Sequence, residues 1–419
     1  MLVARPERSD AGIGPNRIIY DYTLAKEIGI MAAVSRLILF CIFNQATTAT
    51  VSPYIQILLR NKGYSHSVVG VLLAVGQLAT VIVPMLVGML SDKTRKTKPI
   101  IIALALLSSV LFVPVALSGS LLLTFVSIFV ASGLYWSAHP IADGYETRLL
   151  KGDASKYGLI RSMGTMGYIV CLILFGLTGF PDETSNKSIC ISIAVVCAAF
   201  AFVSFFIPED IPASKTEKKE RFTIRSLSGK FYLMMLLVGF SRIAQAVIEK
   251  LLSSYMMEEL GLGGSFVHFV ALGAFCEFLM ILFGGRLLQK GKISAYSMIF
   301  LSFVGLGVRL LVYYLFPNIV AFTIAQTLHA LTFGALHIGV TKFIAQNVDQ
   351  SHYSVAQSFY WAIATNLPEM IGALVGGFII DSLGYRNLFA IYSVFPILSA
   401  ILCVLFRKKL STSDYMDKN

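Results

Sequence analysis

The stretch Pro99-Ile-Ile-Ile-Ala-Leu-Ala-Leu-Leu-Ser-Ser-Val-Leu-Phe-Val-Pro-Val-Ala-Leu-Ser118 decides the fold class of this chain. It is 20 residues long and contains no charged side chain. A helix rises about 1.5 Å per residue, so a stretch of this length crosses the roughly 30 Å hydrocarbon core of a bilayer. The stretch therefore predicts a membrane-spanning helix.

Comparable apolar runs fill most of the sequence on either side of this stretch. Of the 419 residues, 56% are hydrophobic and 14% are charged, whereas soluble domains average about 45–50% and about 25%. The alternating pattern of a membrane barrel is absent. We predict an all-α membrane protein with twelve transmembrane helices, near residues 33–58, 66–90, 99–118, 121–149, 158–180, 188–208, 230–256, 265–288, 293–316, 318–346, 354–380 and 386–406.

A polar break separates the sixth predicted helix from the seventh. It begins at Pro208-Glu209-Asp210 and continues through a run of Lys, Glu and Arg to Arg225. Such charge density indicates a solvated linker between two bundles of six helices, an architecture suited to alternating access. The predicted parts are a cytoplasmic tail, the first bundle, a cytoplasmic linker, the second bundle and a second cytoplasmic tail, at residues 1–29, 30–208, 209–229, 230–406 and 407–419.

The basic residues decide the predicted orientation. The formal net charge is +11. With the N-terminus inside, about 25 Lys and Arg lie in cytoplasmic segments and about four in outer loops. The positive-inside rule therefore places both termini in the cytoplasm. The same distribution explains the basic balance without a nucleic-acid partner.

Sequence signatures of catalysis, metal binding and ATP binding are absent. The chain has no GxxxxGK[ST], HExxH or GxSxG pattern. Its six cysteines lack a CxxC spacing and fall mostly inside apolar runs, where they pack as small hydrophobes. We expect no catalytic site, metal or cofactor, and residues 1–29 lack the pattern of a signal peptide.

The loop after the second predicted helix carries the pattern Gly88-Met-Leu-Ser-Asp92-Lys-Thr-Arg95-Lys96. It resembles the G-x-x-x-D-[RK]-x-[GR]-[RK]-[RK] signature of the major facilitator superfamily. The resemblance implies a twelve-helix transporter in which this loop is a conformational gate. Gly88 then permits close helix approach, and Asp92 caps a helix or pairs with a basic residue of the other bundle. Arg95 stands where many members have Gly.

Two further segments resemble the branch of that superfamily that holds the lactose and phenylpropionate permeases. They are Tyr157-Gly158-Leu-Ile-Arg161-Ser-Met-Gly164-Thr-Met-Gly167-Tyr168 and Gln326-Thr-Leu-His329-Ala-Leu-Thr332-Phe-Gly334. The resemblance implies that an acid and an arginine, here Asp143 and Arg161, bind sugar hydroxyls. It also implies that an aromatic side chain, here Tyr168, stacks on the sugar ring. Asp replaces Glu and Tyr replaces Trp, which leaves the identity of the solute open.

Ionisable side chains inside the predicted helices are the strongest site signal in the sequence. Each costs about 2.5–3.5 kcal/mol in the bilayer, so such residues usually face a cavity or a partner. Asp143 and Arg161 lie at similar depth on consecutive helices and form either a solute-binding pair or a structural ion pair. His139, one turn before Asp143, suits the cavity and helix packing equally well. Polar residues of the first and seventh helices are further candidates for the cavity wall, namely Asn44, Gln45 and Gln245.

Glu277, Arg309 and His329 lie on three different predicted helices of the second half. A buried carboxylate that alternately pairs with and leaves an arginine can bind a proton at one face and release it at the other. The permease resemblance implies a proton-carrying glutamate three residues after the histidine, but this chain has Thr332 there. Glu369 is either a replacement carrier or the structural partner of a basic residue.

These observations predict a secondary active transporter that moves a small polar solute by alternating access. We expect a sugar or oligosaccharide as the solute and a proton as the coupled ion. An aromatic carboxylate, a nucleoside or solute export stays open as an alternative. A membrane receptor or enzyme is disfavoured, because no soluble domain accompanies the helices. The expected setting is the bacterial plasma membrane, with the monomer as the functional unit.

Overall fold

The computed structural model describes residues 34–94, 96–150, 154–208, 227–349 and 352–411, and these residues form helices joined by turns. The helices are α1 Val34–Arg60, α2 His66–Thr94, α3 Thr97–Leu117, α4 Leu121–Leu149, α5 Ala154–Thr178, α6 Asn186–Ser204, α7 Gly229–Glu258, α8 Gly263–Gln289, α9 Ala295–Leu315, α10 Ile319–Asn347, α11 353–383, α12 385–405 and the short α13 Arg407–Ser411.

The boundary between α11 and α12 is a bend inside one continuous helical stretch, Val355–Leu405. Gly384 has φ 78° and ψ 168°, which ends the α-helical geometry of α11. A side chain with a Cβ rarely adopts this positive φ, so glycine is required for the turn. Counted with this stretch as one, eleven helices in the described part of the chain are long and apolar enough to cross a membrane.

The predicted all-helical membrane class is confirmed, and the predicted helix bounds agree with the structure to within a few residues. Large apolar side chains cover the outer surface of the helices; Leu122 and Leu177, for example, are each 73% exposed. Such a surface is unfavourable in water but matches lipid chains. The tail and linker predictions fall mostly on residues outside the described ranges and stay predictions.

Short polar side chains fix where several helices begin. In each case the side-chain oxygen accepts a hydrogen bond from a backbone N–H in the first turn, which would otherwise lack a partner. These residues precede α4, α6, α7, α9 and α10, and they are Ser120, Ser185, Ser228, Ser294 and Asn318.

Four described helices of the second half contain a π-helical turn. In such a turn the backbone hydrogen bonds join residues five positions apart instead of four. The turns lie in α7, α8, α10 and α11, at Val247–Leu251, Met280–Gly284, Ala330–Ala335 and Ala362–Asn366. The first of these turns contains Glu249 and the third directly follows His329, and π turns are common at functional sites. The extra residue widens the helix and turns the side chains on either side of it towards different neighbours.

Glycines allow the two groups of helices, α1–α6 and α7–α12, to touch at one end. α2 packs directly against α11, and α5 packs against α8. A Cβ on Gly70 would lie 2.6 Å from the carbonyl oxygen of Ala373, and one on Gly377 would overlap the carbonyl oxygen of His66. A Cβ on Gly176 would overlap the ring of His268. The backbones therefore approach more closely there than residues with side chains would allow.

Candidate functional site

A polar cavity of about 290 Å³ lies between the two groups of helices. Its wall comes from α1, α4 and α5 on one side and from α7, α8, α9 and α10 on the other. The polar and aromatic side chains that line it are Gln45, Thr48, Ser52, Trp136, Arg161, Thr165, Tyr168, Glu249, Ser253, Glu277, Arg309, Gln326, His329 and Phe333. A cavity with these groups offers donors, acceptors and ring faces to one ligand.

On the first side of the cavity, the guanidinium of Arg161 lies between α1 and α4. Its Nη1 atom is 3.6 Å from Asp143 Oδ1, and the two side chains are 42% and 35% exposed. With the Gln45 amide oriented to satisfy its neighbours, its oxygen accepts hydrogen bonds from both Nη atoms of Arg161. The structure therefore brings together the predicted residues Asp143, Arg161 and Gln45, with Arg161 and Gln45 on the cavity wall.

Aromatic side chains form the adjoining wall. Tyr168 lines the cavity as predicted, and Trp136 lines it as well. Trp136 was not among the predicted residues, although it precedes His139 by three positions and Asp143 by seven, a spacing that places all three on one face of α4. This helical spacing is the sequence signal by which Trp136 could have been identified.

Two predicted residues of this side, His139 and Asn44, do not line the cavity. The His139 ring packs against Trp136, with ring centroids 5.1 Å apart. The Asn44 side chain is only 1% exposed, and its amide has no hydrogen-bond partner among the residues described. Both residues therefore lie behind the side chains that form the wall. Their predicted contact with a solute is not seen in this arrangement.

On the second side, His329 connects Glu277 to Arg309. Nε2 of His329 is 3.4 Å from Glu277 Oε2, and Nδ1 of His329 is 2.9 Å from Arg309 Nη1. A guanidinium can only donate, so Nδ1 of the imidazole accepts and the ring proton sits on Nε2, facing the carboxylate. The predicted trio is thus assembled, with the histidine between the acid and the arginine.

Arg309 is held by several neutral partners besides His329. Its Nε donates to the Tyr313 hydroxyl at 2.8 Å, and Nη1 donates to Thr332 Oγ1 at 3.3 Å. Nη2 donates to the side-chain oxygen of Gln326. Thr332, which stands where the resemblance implied a glutamate, therefore acts as a hydrogen-bond acceptor. Gln326 lines the cavity but was not among the predicted cavity residues.

A second ion pair lies outside the cavity wall. Arg242 Nη1 is 3.2 Å from Glu369 Oε1, and the two side chains are 0% and 7% exposed. The guanidinium also donates to the Tyr360 hydroxyl and lies 5.0 Å from the ring centre of Phe333. The sequence left two roles open for Glu369, a proton carrier or the structural partner of a basic residue. This geometry agrees with the second role.

The predicted cavity residue Gln245 is 1% exposed and does not line the cavity. Its Nε2 atom donates to Glu249 Oε1 at 3.0 Å. Glu249 does line the cavity, so Gln245 acts from behind it. Gln245 precedes the π turn of α7 at Val247–Leu251, whereas Glu249 lies inside that turn.

The predicted gate is only partly described. A Cβ on Gly88 would meet no atom within 4 Å, so the predicted close helix approach is not made at this residue in this arrangement. Arg95 and the side chain of Asp92 lie outside the described part of the chain. Their proposed roles stay predictions.

One end of the cavity is closed by polar contacts between the two groups of helices. Arg60 donates to both carboxylate oxygens of Glu258, at 2.8 and 3.2 Å, and His66 Nε2 lies 3.2 Å from the same carboxylate. The Asp381 carboxylate accepts from the backbone N–H groups of His66 and Ser67 at the start of α2, at 3.0 and 2.7 Å. An anion at a helix N-terminus is electrostatically favourable. The contacts of Glu258 join α1 and α2 to α7, and those of Asp381 hold α2 against α11.

A protein-family model covers most of this chain. Residues 34–391 match the model of the MFS_1 like family. The chain belongs to this family. Members of this MFS_1 like type are membrane transporters and not enzymes, and the chain is accordingly a multi-pass membrane transporter of the MFS type.

Individual proteins agree with the MFS_1 like assignment. The uncharacterized transporter YwbF of Bacillus subtilis (strain 168) is 21% identical over 368 residues, which cover 86% of this chain and 89% of YwbF. The maltose permease of Geobacillus stearothermophilus is 20% identical over 366 residues, covering 86% and 91%. The crystal structure of the nucleoside transporter NupG superposes with a TM-score of 0.74 at 16% identity, covering 90% of this chain and 99% of NupG. The fold is therefore that of solved MFS transporters.

Proposed function

We propose that this chain is a proton-coupled symporter that imports a sugar or oligosaccharide through the bacterial plasma membrane by alternating access. The observation that carries the proposal is the composition of the cavity wall. Guanidinium, carboxylate and amide groups converge there beside the rings of Trp136, Tyr168 and Phe333. Sugar hydroxyls both donate and accept hydrogen bonds, and such a wall supplies both kinds of partner. The similarity to a maltose permease supports the same solute class.

The proposal includes twelve membrane spans, with α11 and α12 as separate spans and both termini in the cytoplasm. In this orientation the contacts of Arg60, His66 and Asp381 lie at the outer face. The structure then corresponds to the inward-facing state, closed towards the outside. Transport requires those contacts to break while α2 and α11 separate at that end.

The test is uptake of labelled sugars into proteoliposomes, with and without an imposed inward proton gradient. We expect a mono- or oligosaccharide to accumulate above its external concentration only when the gradient is present. Accumulation that ignores the gradient would remove proton coupling. Uptake of nucleosides or aromatic carboxylates, with no sugar uptake, would replace the proposed solute class.

Substitution of Arg161 by Lys should weaken solute binding. The guanidinium can bridge the solute, Gln45 and Asp143, whereas an ammonium lacks the planar fork. A hydrogen bond to a charged group contributes about 1.5–3 kcal/mol, which corresponds to roughly 10- to 150-fold in affinity. The measurement is the concentration of sugar that protects a Thr165→Cys thiol, on the cavity wall, from a maleimide. The matched control is Arg286→Lys, which lies outside the cavity wall. Protection at the wild-type concentration in Arg161→Lys would contradict the placement of the solute.

Substitution of Glu277 by Gln should separate exchange from accumulation. The amide keeps the shape of the side chain and can still accept from His329 Nε2, but it does not carry a proton. We expect solute exchange across the membrane to continue. The proton gradient should no longer raise the internal solute concentration above the external one. Both rates are measured in the same proteoliposomes. Undiminished accumulation would show that Glu277 is not the carrier.

A further inference from the structure

Glu146 is a buried carboxylate that neither the cavity nor the second-side cluster uses. It lies on α4, three residues after Asp143, and its exposed fraction is 0%. No N–H or O–H group of the described residues donates a hydrogen bond to either of its carboxylate oxygens. An ionised carboxylate is strongly unfavourable in such surroundings, and a proton on the group relieves the cost.

Among the described side chains, the charged or titratable groups that face Glu146 come from three helices. α4 itself contributes Asp143, α5 contributes Arg161, and α1 contributes the thiol of Cys41. A thiol is a weak donor and does not compensate a full negative charge. Among the described side chains, Arg161 is thus the cation that faces Glu146, and its guanidinium lies beside Asp143 and Gln45.

The spacing of the two acids makes them compete for this cation. Residues three apart on a helix lie on the same face, where two like charges repel. One guanidinium balances one carboxylate, so the cluster is neutral only when the other carboxylate carries a proton. The Asp143 side chain is 35% exposed and lies next to Arg161, whereas Glu146 is enclosed. The proton therefore belongs on Glu146 in this arrangement.

We propose that Asp143 and Glu146 form a protonation site in the first group of helices, separate from Glu277 and His329 in the second. The pair holds one proton, on Glu146, as long as Arg161 engages Asp143. A solute that draws Arg161 away leaves two carboxylates without a counter-charge and favours uptake of a second proton. Solute binding and protonation are thereby linked within one bundle. This link rests on the proposed function, whereas the protonation of Glu146 does not.

The test is infrared absorption by the C=O stretch of protonated carboxyl groups, on purified protein in lipid nanodiscs at neutral pH. The wild-type spectrum minus that of Glu146→Gln should contain this band, and the exposed control Glu259→Gln should not remove it. Glu146→Asp should retain a band. Arg161→Gln should raise the contribution of the pair about twofold, because Asp143 then also lacks a counter-charge.

A Glu146→Gln protein that unfolds at the wild-type temperature and keeps the full band would overturn the proposal. If that variant does not fold, the spectrum of Glu146→Asp is compared with that of the wild type instead. A band at an unchanged frequency would equally overturn the proposal. No solute is added in this experiment. Loss of the band together with an absence of sugar uptake would therefore contradict the proposed function and leave the protonation site standing.

Discussion

Substitution of Arg242 by Ala is expected to destabilise the protein by about 3–5 kcal/mol, because Glu369 is then buried without its counter-charge. The pair is 3.2 Å apart and almost fully enclosed, so water cannot replace the guanidinium. The Tyr360 hydroxyl and the ring of Phe333 lose a partner as well. Thermal unfolding followed by the fluorescence of Trp136 and Trp361 measures the effect.

The double substitution Arg242→Leu with Glu369→Leu provides the matched comparison. Apolar side chains of similar volume leave no charge unpaired, so we expect much of the lost stability to return. Transport separates the two roles of Glu369. If the residue only pairs with Arg242, Glu369→Gln should keep gradient-driven accumulation, since the amide oxygen still accepts from the guanidinium. Lost accumulation at unchanged stability would make Glu369 a proton carrier instead.

In the proposed orientation, substitution of Gly377 by Leu is expected to prevent closure of the outer end of the cavity. A Cβ there overlaps the carbonyl oxygen of His66, a backbone atom that cannot rotate away. Overpacking of this kind costs about 1–3 kcal/mol, which lowers the population of the closed state by about 5- to 150-fold. Alternating access then fails, and transport falls by a comparable factor.

The measurement is labelling of a Ser254→Cys thiol by an impermeant maleimide added from outside. Ser254 is 1% exposed in this closed arrangement, and its backbone N–H donates to Gln56 of the other group of helices at 3.0 Å. Labelling should be faster in Gly377→Leu than in the otherwise wild-type protein. Gly119→Leu is the control, since a Cβ at Gly119 meets no atom within 4 Å. Equal labelling and normal transport in Gly377→Leu would contradict this role of the α2–α11 contact.

Candidate site residues could be predicted where a charge lies inside an apolar run. Asp143 and Arg161 are an example, because their depth in the membrane follows from the number of residues between each of them and the loop that joins α4 to α5. The partner of Glu369 could not be found this way. Arg242 precedes it by 127 positions, and only the packing of α7 against α11 brings the two together.

Two neutral residues and one enclosed acid were not predicted as site residues from the sequence. Gln326 carries no charge, and Trp136 belongs to an apolar run in which many aromatic residues face lipid or neighbouring helices. Glu146 lies close to the predicted inner end of a helix, where an acid in the sequence looks solvated. Its complete burial depends on how α1 and α5 cover that face of α4.

The sequence by itself determined the helical membrane class, the helix bounds to within a few residues and the residues whose charge needs a partner. These follow from local quantities, since apolar length and side-chain charge act along the chain. The tertiary structure alone decided which charges meet, which side chains reach the cavity and which end is closed. Those properties depend on helix rotation, on π turns and on glycine contacts between distant segments, and hydropathy does not specify any of them.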